Sequence, residues 1–169
     1  MILCEDEQHY AFAKRFLDQL TRPELREQRK QVAGGHSQVR ARFRTELAAA
    51  RKQGGRAALL VIVDADGQSI EARRRYVQDL CPADEQPGPD DAVAIVVPER
   101  NIETWIRWLD GHPVDATTRY PKLGKERLCK PAVDALKQRC DAGQLGADAP
   151  RSLQDACEEF SRVIQKLRS

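Results

Sequence analysis

The stretch AALLVIVDADGQ, residues 57–68, decides the fold class of this chain. Its first seven residues form a continuous apolar run. Such a run is typical of a central β-strand covered on both faces, because a half-exposed strand alternates apolar and polar residues. The run ends in Asp64-Ala65-Asp66-Gly67, where Gly67 permits a tight turn. We therefore expect a buried strand over residues 57–63 that ends in two carboxylates.

Two further apolar runs predict the rest of a parallel sheet. Residues 1–4 end in Glu5-Asp6-Glu7, and residues 92–97 (AVAIVV) form the next buried strand. Apolar residues at helical spacing occur between and after these runs. The expected apolar helix faces are Tyr10–Leu20, Val39–Leu47, Ile70–Leu80, Ile102–Leu109 and Leu153–Leu167. Strands that alternate with helices imply an α/β fold, with a mostly parallel, Rossmann-like sheet and helices on both faces.

Length and composition favour one soluble domain. The chain has 169 residues, 41% hydrophobic and 32% charged, which is enough for a hydrophobic core. We expect a single domain over residues 1–169, with C-terminal helices from about residue 130 packed on it. No apolar run approaches the roughly 20 residues that span a bilayer. The N-terminus does not resemble a signal peptide, because no basic region precedes its apolar run.

The cysteine pattern indicates a reducing environment. The five cysteines are scattered, contain no C-x-x-C pair and are odd in number. We therefore expect neither a zinc site nor a disulfide framework. Cys4 and Cys157 are expected to pack as small hydrophobic residues in the core. A cytoplasmic location follows as the expectation.

Acidic residues follow two of the buried runs: Glu5 after the first, and Asp64 with Asp66 after the second. In parallel α/β sheets the ligand site lies beyond the carboxyl ends of the strands. Gathered carboxylates repel one another, and a divalent cation such as Mg²⁺ or Mn²⁺ relieves that repulsion. Asp64 and Asp66 are two apart in a segment that we expect to be extended, so both side chains should point the same way and reach one ion. The alternative is a helix cap or an ordinary D-x-D-G turn.

These acids lie in segments that resemble a Toprim domain, the metal-binding module of primases, topoisomerases and OLD-type nucleases. The similar segments are ILCEDEQHYAFAKRFL (2–17) and LLVIVDADGQ (59–68). The Toprim pattern of a Glu after the first strand and a later D-x-D corresponds to Glu5, Asp64 and Asp66. AIVVPERNIETWI (94–106) resembles a further segment in which Glu precedes Trp, which nominates Glu103. The chain departs from the Toprim pattern at Asp6, because Toprim proteins usually carry Gly directly after the Glu of the first strand.

The resemblance is closest to small Toprim-like proteins and OLD-family nucleases linked to defence against phage and mobile DNA. It implies Mg²⁺-dependent phosphodiester cleavage in nucleic acid, with Asp64 and Asp66 as metal ligands. Glu5 would be the general acid/base or a second metal ligand, and Glu103 would complete a second site. OLD-type nucleases carry an ATPase domain in the same chain, and this chain lacks one. The resemblance therefore also implies a partner protein that supplies the ATPase activity. Alternatively, Glu103 only complements the helix dipole, or Glu99 takes its place.

Basic residues predict contact with a nucleic-acid backbone. Residues 38–56 contain six Lys or Arg and a single acid, and Arg40 and Arg44 lie on this basic helix. Lys122 and Lys125, in the irregular stretch before the C-terminal helices, are candidates to bind or stabilise a phosphate. The alternative for such a charge run is a solvated helix face.

Two other functions compete with cleavage. The chain could be a non-catalytic Toprim-like partner or sensor subunit whose metal site is structural or regulatory. More remotely, Asp64 could be the phosphoacceptor of a receiver-like domain, with Lys130-Pro131 as its Lys-Pro pair. ATPase, hydrolase-triad and dinucleotide functions lack support, because the chain has no P-loop, no G-x-S-x-G and no G-x-G-x-x-G.

Overall fold

A four-stranded parallel sheet organises the computed structural model of the chain, which describes residues 1–19, 29–54, 56–143 and 145–167. The strands are β1 (Ile2–Cys4), β2 (Lys30–Val32), β3 (Leu59–Ile62) and β4 (Val93–Val96). Their spatial order is β2-β1-β3-β4, and every pairing is parallel. The predicted parallel α/β class is confirmed.

Helices connect and cover the strands. They are α1 (Glu7–Asp18), α2 (His36–Arg51), α3 (Ile70–Gln78), α4 (Ile102–Leu109), α5 (Lys130–Ala142) and α6 (Arg151–Lys166). A short 3₁₀ helix, Glu126–Cys129, precedes α5. Local chemistry sets several boundaries: Asp6 caps α1 by accepting a hydrogen bond from the backbone N–H of His9, and Ser69 caps α3 in the same way. Gly143, at φ 61°, ends α5 in the left-handed conformation.

Alternate residues of β1, β3 and β4 enter two separate cores. Ile2 and Ile62 face one core, to which α1, α4, α5 and α6 contribute buried residues. Leu3 and Val61 face the other, which α2 and α3 cover. Both faces of β1, β3 and β4 are therefore buried, which is why these three strands are continuous apolar runs. Trp105 and Trp108 belong to the first core.

Some expected helix positions differ from the structure. Leu80 was expected on the apolar face of the third helix, but it lies beyond the end of α3 and is 50% exposed. Leu20 falls outside the described residues. Among the helices that the structure describes, none is long and apolar enough to cross a membrane.

A disulfide bond joins two of the cysteines, contrary to the sequence-based expectation. Cys140 of α5 and Cys157 of α6 are bonded, with their Cα atoms 5.8 Å apart. The prediction failed because the pairing depends on how α5 packs against α6, and the spacing of 17 residues does not reveal that packing. Cys157 is therefore a cross-link rather than a simple core residue. Cys4, by contrast, is free and buried, as predicted.

Candidate metal centre

The carboxyl ends of β1 and β3 meet through a direct hydrogen bond. The strands are neighbours, with Cys4 opposite Ile62. The backbone N–H of Asp64 donates to Oε1 of Glu5 over 2.7 Å. The backbone carbonyl of Glu5 accepts from the N–H of Gly34 over 2.8 Å, which brings the start of α2 to the same place. The predicted edge of the sheet therefore gathers Glu5, Asp64 and the first residues of α2.

The chain turns sharply at Asp66. This residue has φ 51°, in the left-handed region, and its N–H donates to the carbonyl of Arg100 over 3.2 Å. The expectation that the chain is extended from Asp64 to Asp66 is therefore wrong. The carboxylates of these two residues have different neighbours. The Asp66 carboxylate accepts a hydrogen bond from Arg119 over 3.0 Å and lies 4.0 Å from Arg73.

Among the residues that the structure describes, Glu5, His36 and Asp66 form a group of side chains that could hold a metal ion. One potential ligand atom from each lies within 4.8 Å of the other two, and all three residues are partly exposed. Three ligand atoms at about 2.1 Å from one ion can be no more than about 3.6 Å apart on average, so these side chains would have to move together by up to about 1 Å to bind it. Two carboxylate oxygens and an imidazole nitrogen suit a divalent cation.

His36 was not predicted as a ligand, and Asp64 is not a member of this group. A signal for His36 was present, because it follows Gly34-Gly35 at the carboxyl end of β2, beside β1. Asp64, predicted as a ligand, is next to the group through its hydrogen bond to Glu5.

The carboxylate of Asp64 is held from the other face of the sheet by His9. Nε2 of His9 lies 2.8 Å from Oδ1 of Asp64, and Nδ1 lies 3.4 Å from Oδ1 of Asp6. The imidazole is 0% exposed. Burial by itself lowers the pKa of His9, but the carboxylates of Asp64, Asp6 and Glu5 raise that pKa to about 9. His9 is therefore a cation that fixes Asp64 in place.

Glu5 has a pKa near neutral pH. Burial of its carboxyl, followed by the negative charge of Asp64, raises the pKa of Glu5 to about 7. A carboxyl with such a pKa exchanges protons readily near pH 7, which is the property required of a general acid or base.

Glu103 is buried close to the Asp64 side of the site. Its side chain accepts a hydrogen bond from Asn101 over 2.6 Å through Oε2, and the residue is only 4% exposed. Its Oε1 has no hydrogen-bond partner among the described residues. Burial raises the pKa of Glu103, and the charge of Asp64 adds to this rise. Glu103 also lies in the first turn of α4, so the predicted helix-dipole role is compatible with the same position.

The basic face of α2 is matched by acids within the chain. Arg40 forms a two-point ion pair with Asp79, and Arg44 forms one with Glu85. Lys122 donates to Oδ2 of Asp6 over 2.5 Å. Lys125 is exposed and has no ion pair within the described residues. Of the four predicted nucleic-acid ligands, only Lys122 contacts an acid beside the metal group.

The receiver-like alternative pairs Lys130 with Asp64, but in the structure each of these residues has another partner. Nζ of Lys130 lies 2.6 Å from Oδ2 of Asp134, one turn later in α5. Asp64 instead contacts His9.

Comparison of the chain with protein-family models, with curated proteins and with solved structures finds no match. The relationship to Toprim proteins stays a prediction based on the resemblance of short segments.

Proposed function

We propose that this chain is a divalent-metal-dependent enzyme that cleaves phosphodiester bonds in DNA or RNA. The observation that carries the proposal is the meeting of Glu5, His36 and Asp66 at the carboxyl edge of a parallel sheet. Ligand sites in open parallel α/β sheets lie at this edge. The Toprim resemblance supports the same chemistry and a role in defence against mobile DNA. A cytoplasmic location stays part of the proposal, but the Cys140–Cys157 disulfide removes the cysteine argument for it.

The proposed cofactor is Mg²⁺ or Mn²⁺, held by Glu5, His36 and Asp66, with the predicted ligand Asp64 beside them. The imidazole favours Mn²⁺, because Mg²⁺ prefers oxygen ligands. When bound, such an ion polarises a phosphoryl oxygen and orients the nucleophile.

The remaining acids have supporting roles in this proposal. Glu5, with its pKa near 7, is the residue best suited to move a proton if it does not bind the metal. Asp64 holds Glu5 through its N–H and is itself held by His9. Glu103 is the candidate for a second site, as the Toprim resemblance implies.

Nucleic acid would approach over the irregular segment that carries Lys122 and Lys125. Contacts by these side chains to the phosphate backbone would provide affinity without sequence preference. Arg40 and Arg44 would have to exchange their ion pairs with Asp79 and Glu85 for phosphates. An ATPase partner protein remains part of the proposal through the OLD-type resemblance.

Cleavage assays test this proposal directly. Labelled single- and double-stranded DNA and RNA are incubated with the purified chain and Mg²⁺ or Mn²⁺. The Asp64→Ala/Asp66→Ala double variant is expected to lose cleavage, whereas Asp84→Asn, at an exposed acid, retains it. Cleavage that persists in the double variant, or that needs no divalent ion, contradicts the proposal.

A non-catalytic partner or sensor subunit is the second candidate. The observation that favours it is Asp6, whose carboxylate lies 2.5 Å from Lys122 where Toprim proteins usually have Gly. A side chain at this place narrows the approach of a phosphate to the site. Metal binding without cleavage of any substrate would support this candidate. Labelling of Asp64 by acetyl phosphate would instead support the receiver-like alternative.

A further inference from the structure

The segment of residues 112–125, here called the strap, places one cation against Asp66 of the metal group and another against Asp6, the residue after Glu5. Arg119 contacts Asp66, with Nη1 and Oδ1 3.0 Å apart. Lys122 contacts Asp6, with Nζ and Oδ2 2.5 Å apart. Neither pairing was evident in the sequence, because the strap has no regular secondary structure and the paired residues lie 53 and 116 positions apart in the chain.

Tyr120 ties the strap to α4 and its preceding residue, and hydrogen bonds of Asp115 order the strap on the other side of Arg119. The carbonyl of Tyr120 accepts from the side chain of Asn101 over 2.8 Å, and the guanidinium of Arg107 lies 5.3 Å from the Tyr120 ring centre. Asp115 accepts from the N–H groups of Thr117 and Thr118 over 2.8 and 2.7 Å. The backbone that carries Arg119 is therefore anchored, and its side chain can change partners without rearrangement of the strap.

We propose that Arg119 exchanges partners: a divalent cation at Asp66 displaces its guanidinium, which then binds a phosphate of the nucleic-acid substrate. This inference rests on the function proposed above. It adds a substrate-binding residue that neither the sequence motifs nor the metal group includes.

Exposure distinguishes Arg119 from Arg73, a second arginine whose guanidinium lies near the Asp66 carboxylate. The Arg73 side chain is 3% exposed and donates to the carbonyl of Ala65 over 3.0 Å. It is therefore held against the turn at residues 65–67 and is not available to bind a substrate. The Arg119 side chain is 55% exposed. An exposed ion pair contributes little to stability, so a doubly charged ion competes effectively for the same carboxylate. Once displaced, the planar guanidinium has the geometry to bind phosphate oxygens in pairs.

The first test measures Mn²⁺ affinity without nucleic acid, from the electron paramagnetic resonance signal of free Mn²⁺. Arg119→Gln removes the competitor for Asp66 and is expected to bind Mn²⁺ about 2- to 5-fold more tightly than the unchanged chain. Arg127→Gln is the matched control, because Arg127 is exposed and has no ion pair among the described residues. This control is expected to leave the Mn²⁺ affinity unchanged.

The second test measures binding of a labelled single-stranded oligonucleotide by fluorescence anisotropy, with Ca²⁺ replacing Mn²⁺ to limit cleavage. Arg119→Gln is expected to bind the oligonucleotide more weakly than the unchanged chain does. The plot of log affinity against log salt concentration should become less steep, by the amount expected for the loss of about one phosphate contact. Opposite effects on metal and oligonucleotide affinity are the signature of the exchange.

Unchanged or weaker Mn²⁺ binding by Arg119→Gln would overturn the exchange, as would an unchanged salt slope. Equal tightening in Arg127→Gln would also overturn it, because the effect would then reflect net charge alone. If the unchanged chain binds no Mn²⁺, the proposed metal site fails, and the exchange fails with it. The two failures are thus distinguishable.

Discussion

Replacement of Glu5 by Gln is expected to stabilise the fold while it weakens the metal site. Glu5 is partly buried beside Asp64, and its pKa is raised from 4.5 to about 7. The folded state therefore binds the proton of Glu5 more tightly than the unfolded state does. The resulting stabilisation is complete below pH 4.5 and is lost as the pH rises through about 7. Glutamine resembles the protonated carboxyl at every pH, and its oxygen can still accept from the N–H of Asp64.

The magnitude follows from the same pKa. A pKa of about 7 instead of 4.5 corresponds to about 3 kcal/mol of lost stability once Glu5 is fully ionised. Glu5 is partly exposed, and solvent screening reduces this value. We expect Glu5→Gln to be about 1–3 kcal/mol more stable than the unchanged chain near pH 8. For a chain of 169 residues this corresponds to an increase in Tm of about 3–10 °C.

Urea unfolding in the presence of a chelator, near pH 5 and near pH 8, measures this effect. The two proteins should have nearly equal free energies of unfolding near pH 5 and differ near pH 8. Glu158→Gln, at an exposed position of α6, is the matched control and should follow the unchanged chain. A variant that is less stable near pH 8, or one whose stability depends on pH as before, would refute the reasoning about Glu5.

Two further predictions concern other parts of the fold. His9→Phe removes the donor to Asp64 and leaves a buried carboxylate unpaired. Its free energy of unfolding in urea should therefore be lower by about 3–5 kcal/mol. His9→Gln keeps a donor, so its free energy of unfolding should fall by less. Reduction of the Cys140–Cys157 disulfide should lower stability by about 2–4 kcal/mol, because the bond closes a loop of 17 residues. Cys157→Ala should be insensitive to reductant, and a chain equally stable with and without reductant would show that this bond does not contribute.

The sheet could be predicted from the sequence because its strands are buried on both faces. Leu59–Ile62 and Val93–Val96 are continuous apolar runs, and this pattern indicates a central strand directly. β2 is harder to recognise, since Lys30–Val32 lies at the edge of the sheet and is partly polar. The parallel order then brought the predicted acids to one edge, where Glu5 and Asp64 are hydrogen-bonded.

The composition of the site depends on contacts that sequence spacing does not encode. His36 joins Glu5 and Asp66 only because β2 pairs with β1 and starts α2 at the same edge. The backbone of Asp66 is left-handed rather than extended, and its carboxylate contacts Arg119 whereas that of Asp64 contacts His9. The arginines of α2 appear in the sequence as an unpaired basic face. Their acidic partners, Asp79, Glu85 and Asp91, lie about 40 residues later in the chain.

The most direct test of the central claim is the electron spin echo spectrum of Mn²⁺ bound to the chain. Coordination by His36, together with Glu5 and Asp66, predicts one bound ion with nitrogen hyperfine coupling from a directly coordinated imidazole. This coupling should disappear in His36→Gln, and Asp66→Asn should bind Mn²⁺ much more weakly. The absence of bound Mn²⁺, or a nitrogen coupling that persists in His36→Gln, would contradict the account.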